Sequence, residues 1–242
     1  MSTPAVTVTT SWDDGHCLDL RLAGLLAHHD LPGTFYIAPR NVELREPDRL
    51  TPAQIGELAE DFEIGGHTLS HLPLTELPER RAWEEIRSGK TELEDTTGRP
   101  LTSFCYPLGR YRRRDVRLVA QAGFRLARTV TRSSLATGDL LELATTVNAY
   151  RHLVDGPLAV RLALGSPRRT ARYFSSWDAL AMRWFDLCLA SGGVFHLWGH
   201  SWEVDARGDW ERLERVLTHI SRVPGVRYVT NGQLAEAPEA AR

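Results

Sequence analysis

Cysteine is scarce in this chain of 242 residues: only Cys17, Cys105 and Cys188, an odd number with no Cys-x-x-Cys pair. The count speaks against a disulfide framework and the spacing against a zinc ribbon, so reduced thiols are expected and any metal must be held by histidine and carboxylate. Long apolar runs are missing as well. Nothing approaches the ~18 residues of a membrane span, and the longest apolar segment, Leu187–Trp198, is broken by Ser191, Gly192, Gly193 and His196. The opening MSTPAVTVTTSWDDG has neither a basic region nor an apolar stretch of signal-peptide length, which sets the expectation of a cytoplasmic protein without a membrane anchor. No charge dominates: 29 Lys and Arg against 31 Asp and Glu leave a net charge of -2. Without a basic field, nucleic acid is not expected as a partner. Internal repeats are absent, and the Ala/Glu-rich tail after Leu234 is expected to fray.

What is present is enough apolar material, 42% of residues, for one large core, so a single domain over residues 1–242 is expected. Val6–Trp12 is rich in β-branched residues and ends in Asp13-Asp14-Gly15, after which Leu18, Leu22, Leu25 and Leu26 recur at helical spacing. The alternation continues. Gly33–Ile37 reads as strand, Thr51-Pro52 as the cap and first turn of a helix through Glu60, and Phe62–Ile64 as strand. Further pairs follow: a helix over Pro78–Thr96 with strand Thr102–Tyr106, and a helix over Asp115–Ala122 with strand Arg125–Val130. Leu141–Ala149 reads as strand, Leu158–Leu164 and Trp177–Ala190 as helices before strand Val194–Trp198, and Asp209–Ile220 with Val226–Val229 as the last pair. Repeated β/α units without a linker predict an α/β fold, a distorted (β/α) barrel of about seven strands with its site at the strand C-terminal ends.

Three polar segments fall just past predicted strands: Asp13-Asp14-Gly15-His16, Gly66-His67-Thr68-Leu69-Ser70-His71 and Gly199-His200-Ser201-Trp202-Glu203. Alone, each has an ordinary reading, since Asp-Gly is a common turn and His-x-x-x-His is often two unrelated histidines. Together they matter more. His67 and His71 lie on one face if their segment is helical, and an aspartate from another strand end completes a two-histidine, one-carboxylate metal set with open positions.

On these residues the chain resembles the polysaccharide deacetylases, carbohydrate esterase family four, over most of its length. Ser11-Trp12-Asp13-Asp14-Gly15 is similar to the family's first motif, and the resemblance implies Asp13 as general base and Asp14 as metal ligand. His67-Thr68-Leu69-Ser70-His71 matches the second and implies the two metal-binding histidines. Glu63-Ile64-Gly65-Gly66 and Gly33-Thr34-Phe35-Tyr36-Ile37 resemble it too. The third motif, Arg-x-Pro-x-Gly, stands here as Cys105-Tyr106-Pro107-Leu108-Gly109, with cysteine where the family has the arginine that orients the base. Arg110, Arg128 and Arg151 are candidates to replace it, and the Leu108 N–H is the implied oxyanion donor. The fourth motif has no clear counterpart: Trp177-Asp178 has the wrong order, and Thr146–Arg151 is a positional guess.

For the fifth motif, His200 beyond the strand end is the expected general acid, and His196 inside the apolar strand a core histidine. Trp12, Tyr106, Pro107, Trp198 and Trp202 are expected to touch substrate, although strand-end packing explains the tryptophans equally well. Of His16, His28, His29, His152 and His219, His16 can brush the pocket and the others read as surface residues. The implied cofactor is a divalent metal, zinc first, with cobalt, nickel or iron compatible with the same donors. The implied substrate is an N-acylated carbohydrate or a small amide. A cyclic-amide or formamide hydrolase and a non-catalytic carbohydrate-binding barrel are the alternatives.

Overall fold

The computed structural model describes residues 5–152 and 156–236; the final part of the expected frayed tail lies outside them. Among these residues eight parallel strands run β1 (Val6–Asp14), β2 (Thr34–Ile37), β3 (Glu63–Gly66), β4 (Ser103–Cys105), β5 (Leu126–Arg128), β6 (Val147–Asn148), β7 (Gly193–Gly199) and β8 (Val226–Tyr228). Seven of them follow the order β5-β4-β3-β2-β1-β7-β6. The eighth lies beside the first half of β1, Val6 to Val8, on the edge that β2 takes over from Ser11 onward. The curl nearly closes. Leu143 donates to Ala127 O and accepts from Thr129 N on the β5 side, both at 2.9 Å. Three residues later Thr146 N reaches His196 O of β7 at 3.0 Å. This bridging segment was expected to be one strand; it is a 3-10 turn at Leu140–Glu142 followed by the two-residue β6.

The helices are α1 (Asp19–His28), α2 (Pro52–Asp61), α3 (Glu79–Thr97), α4 (Arg113–Gln121), α5 (Gly156–Leu162), α6 (Pro167–Ser175), α7 (Trp177–Ser191), α8 (Ser201–Ala206), α9 (Trp210–Ile220) and α10 (Asn231–Leu234). Thr51 caps α2 with the reciprocal Gln54 contact, as its Thr-Pro start predicted. Helix α6 was not expected; its three arginines and lack of Leu, Ile and Val hide it, and Ser166 with Pro167 marks its start. None of the described helices is long and apolar enough to cross a membrane.

Leu22, Leu26, Phe35, Phe104, Phe185 and Phe195 are fully buried between helices and sheet, each contributing roughly 1.5–3 kcal/mol by leaving water. At the N-terminal end of the barrel the core turns polar. Asn231 accepts from Thr9 Oγ1 at 2.7 Å and donates to Tyr36 Oη at 2.9 Å, while Glu63 accepts from Thr34, Ser103 and the Gly232 N–H. The start of α10 thereby plugs that end, with its polar groups satisfied rather than stranded.

Candidate active site

Asp13 and Asp14 are the last residues of β1, and both side chains enter one cleft because the backbone leaves the extended conformation at Asp14. Asp14 has φ 85, Thr68 and His71 φ 63, and Leu108 φ 54, a clustering of left-handed non-glycine residues at one end of the barrel. Such backbone costs on the order of 1–3 kcal/mol per residue and persists where the surroundings enforce it. Here Asn41 Nδ2 donates to the Asp14 carbonyl at 3.2 Å. Glu85, fully buried on α3, accepts from the Ser70 N–H at 2.9 Å and from its hydroxyl at 3.3 Å. The segment from His67 to His71 is therefore a strained turn clamped by α3, not the helix that four-residue spacing suggested. The two imidazoles still converge, with ring centroids 4.7 Å apart.

Asp14 Oδ1 stands 3.2 Å from His71 Nε2 and 3.7 Å from His67 Nε2. The ligating atoms of the three buried residues lie within 4.8 Å of one another. His67 Nδ1–H donates to the Cys105 carbonyl at 2.7 Å, which orients the ring so that Nε2 faces Asp14. Burial, then the adjacent His67, pushes His71 down to about 4, so it is neutral near pH 7, whereas for His67 the opposing effect of burial is outweighed by Cys105 and Asp14, which raise its pKa. Asp14 Oδ1 is buried without a hydrogen-bond donor among the described residues, an arrangement that a cation relieves. Burial opposes ionisation of Asp14, but the adjacent His67 imidazole and then His200 outweigh it and hold the carboxyl well below its usual range. Two imidazole nitrogens and one ionised carboxylate fit a divalent metal, which would displace the proton that His67 carries toward Asp14.

Around this set lies a cleft of about 390 Å³. Asp13 binds the guanidinium of Arg128, which is fully buried, and its Oδ2 faces Cys105 Sγ at 3.8 Å and His200 Nε2 at 3.9 Å. Of the three arginines expected as replacements at Cys105, only Arg128 meets Asp13; Arg110 pairs with Glu76 and Arg151 lies over Phe174. His200, one residue past β7, donates from Nδ1 to Glu203 Oε2 at 2.7 Å. Burial lowers its proton affinity, but the Glu203 hydrogen bond and the charges of Asp14 and Asp13 more than compensate, and its pKa is raised. His196 is buried within β7 against Ser11 Oγ at 2.8 Å and lies outside the cleft lining, as a core histidine should.

Leu108, Tyr106, Trp198 and Trp202 line the cleft. Trp202 also donates to Asp14 Oδ2 at 2.9 Å, and the Tyr106 hydroxyl is spent on the Leu141 carbonyl. Trp12 and Pro107 do not line it. Trp12 is fully buried because alternation along β1 turns it away from the Asp13 side, and Pro107 is buried as the first residue of a 3-10 turn. The surface reading fails for two histidines: His29 is buried, and His152 lines the cleft beside Tyr150. His16 is absent from the lining; its Nδ1 accepts from the Leu18 N–H. Trp177 and Asp178 bond Asp209 and Arg215, away from the cleft. Sequence reading also missed Glu43, 3.0 Å from His71 Nδ1, and the pairing of Glu203 with His200, which its three-residue helical spacing could have signalled.

Among solved structures, the chain is similar to a polysaccharide deacetylase of Mycobacterium smegmatis described as putative, with TM-score 0.68, 18% identity, and 97% of this chain and 90% of that one covered. A family 4 carbohydrate esterase from Streptomyces lividans in complex with acetate gives TM-score 0.55 at 14% identity, covering 94% and 93%. The Streptococcus pyogenes deacetylase PplD, also with acetate, gives 0.52 at 22% identity over 56% of this chain; the match spans 62% of PplD. At such identities the likeness is one of fold. No curated protein sequence matches. The family profile described as polysaccharide deacetylase matches residues 1–127, just over half of the 242, and takes in both aspartates and both histidines of the strained turn. The chain belongs to the polysaccharide deacetylase family.

Proposed function

We propose that this protein is a metal-dependent deacetylase that removes an N-acetyl or similar N-acyl group from a sugar or related small amide. The observation that carries the reading is the meeting of three buried donors, Asp14, His67 and His71, with a free-edged carboxylate and a proton-bearing imidazole across one cleft. Asp14, His67 and His71 would hold a divalent metal, zinc before cobalt, nickel or iron, whose chemistry there is to polarise the acyl oxygen and to lower the pKa of water. Asp13 takes the proton from the attacking water through Oδ2, because Oδ1 is occupied by Arg128. The Leu108 N–H is assigned to the oxyanion. His200, kept protonated by Glu203, gives its proton to the departing nitrogen. A free amine and a carboxylic acid leave. The cleft volume of about 390 Å³ is at the small end of the roughly 300–1,000 Å³ typical of ligand sites, which suits one acylated sugar unit.

The test is acetate or formate release by metal-loaded protein across a panel of N-acyl sugars and amides. Release is expected, with Asp13→Asn losing roughly 10²–10⁴-fold in turnover while keeping its metal. The same metal content in wild type and in the His67→Ala, His71→Ala double variant would overturn the ligand assignment; absence of release from every metal-loaded sample would overturn the activity.

A further inference from the structure

Cys105 and Arg128 are register partners across β4 and β5. Their side chains therefore leave the sheet on the same face and side by side, directly under the end of β1. Arg128 follows immediately on the segment that matches the family, residues 1–127, so that likeness assigns it no role.

We infer that Arg128 is the positioning residue of Asp13: the guanidinium has moved sideways by one strand, from position 105 to its register partner, and Cys105 is the small residue that makes room for it. The inference rests on the proposed role of Asp13 as base. Arg128 engages Oδ1 alone, while Oδ2 stays turned toward Cys105 Sγ, at 3.8 Å, and His200 Nε2, at 3.9 Å. A guanidinium here thus holds the carboxylate in one rotamer and leaves its reactive edge open. Stability alone is a poor account of this burial. Arg128 Nε and Nη1 have no acceptor among the described residues, whereas a buried structural arginine normally spreads its five donors over several carbonyls. The cation is instead held by aromatic faces, with Cζ 4.4 Å from the Trp198 ring centroid and 5.5 Å from that of Tyr36. Trp198 also lines the cleft, so the same side chain touches the substrate space and the group that aims the base. A longer residue at 105, which is itself buried, would compete for the space taken by Arg128.

Three variants test this: Arg128→Gln, Arg128→Lys, and the exchange Cys105→Arg with Arg128→Cys. Arg128→Gln should keep its metal and change KM little, yet lose about 100-fold in kcat, the scale of a misaligned catalytic group. Arg128→Lys should recover part of the loss, and the exchange should return kcat to within about tenfold of wild type, the guanidinium again facing Asp13. A folded Arg128→Gln with wild-type kcat, or an exchange variant that folds and gains nothing over it, would overturn the inference. An activity-independent arm is the denaturant-stability cycle of Asp13→Asn and Arg128→Gln, with Arg128→Lys in place of Gln if the latter does not fold. Non-additive effects are expected for an ion pair and additive ones would refute it. Wild-type protein inert on all N-acyl substrates would instead sink the base role of Asp13, and the cycle would still decide whether Arg128 holds it.

Discussion

His200 concentrates the pH behaviour of the site in one residue. Its neighbours raise it above the ordinary 6.5 against the opposing effect of burial, with Glu203 the largest of the raising contributions. As the proposed acid it must be protonated, so activity should hold from neutrality upward until the pH passes its raised value. Glu203→Gln should move that alkaline limb of the kcat profile to lower pH, and His200→Gln should abolish it; an unmoved limb in Glu203→Gln would remove Glu203 from this role. The linkage sign agrees. The stability gained from the His200–Glu203 pair is fully present below the unfolded value near 6.5 and is lost as pH rises through the folded value. His196 behaves oppositely. Burial, then the charge of Arg128, keeps it neutral well below 6.5, so only the unfolded chain takes its proton as pH falls and stability drops on the acid side. His196→Gln should flatten that acid slope in thermal melts while leaving the pH–rate profile in place.

Among the elements, α3 controls the strained turn without touching the cleft chemistry. Its Gly89 lets the helix pack so closely that an added Cβ would sit 2.6 Å from the Thr68 carbonyl carbon. Gly89→Ala should therefore displace the turn and weaken metal binding by about tenfold or more, in the range seen when the groups supporting metal ligands are disturbed. Metal competition with a chelator reads this directly, and unchanged affinity would show that the turn holds its shape without α3. The α10 plug is a purely structural counterpart. Asn231→Ala removes bonds to Thr9 and Tyr36 inside the barrel, a loss of about 2 kcal/mol. That corresponds to a fall of roughly 4–8 °C in melting temperature, with metal content unchanged.

On the scale of the whole molecule, the proposed metal set couples to the fold because Asp14 from β1 and the two histidines of the turn after β3 meet in the interior. Chelation should lower the melting temperature and added zinc should restore it, by about 4 kcal/mol at a thousandfold excess over Kd. Equal melts with and without chelator would argue against a resident metal. The β/α alternation, the polar segments past β1, β3 and β7, and a barrel of about seven strands were legible in the sequence because each is local: periodicity of two or 3.6, a cap, a turn residue. Spacing and resemblance also pointed to Asp14, His67, His71 and His200, which the structure brings into one cleft. Chain order alone was silent on which arginine faces Asp13, since Cys105 and Arg128 meet only through the β4–β5 register. It was equally silent on Trp12 being buried and His152 lining the cleft, because the facing of a side chain depends on which neighbour covers it. Local propensity and pattern belong to the sequence; the pairing of groups 115 residues apart, as between Asp13 and Arg128, belongs to the tertiary structure, because only the closed sheet brings their strand ends within bonding distance.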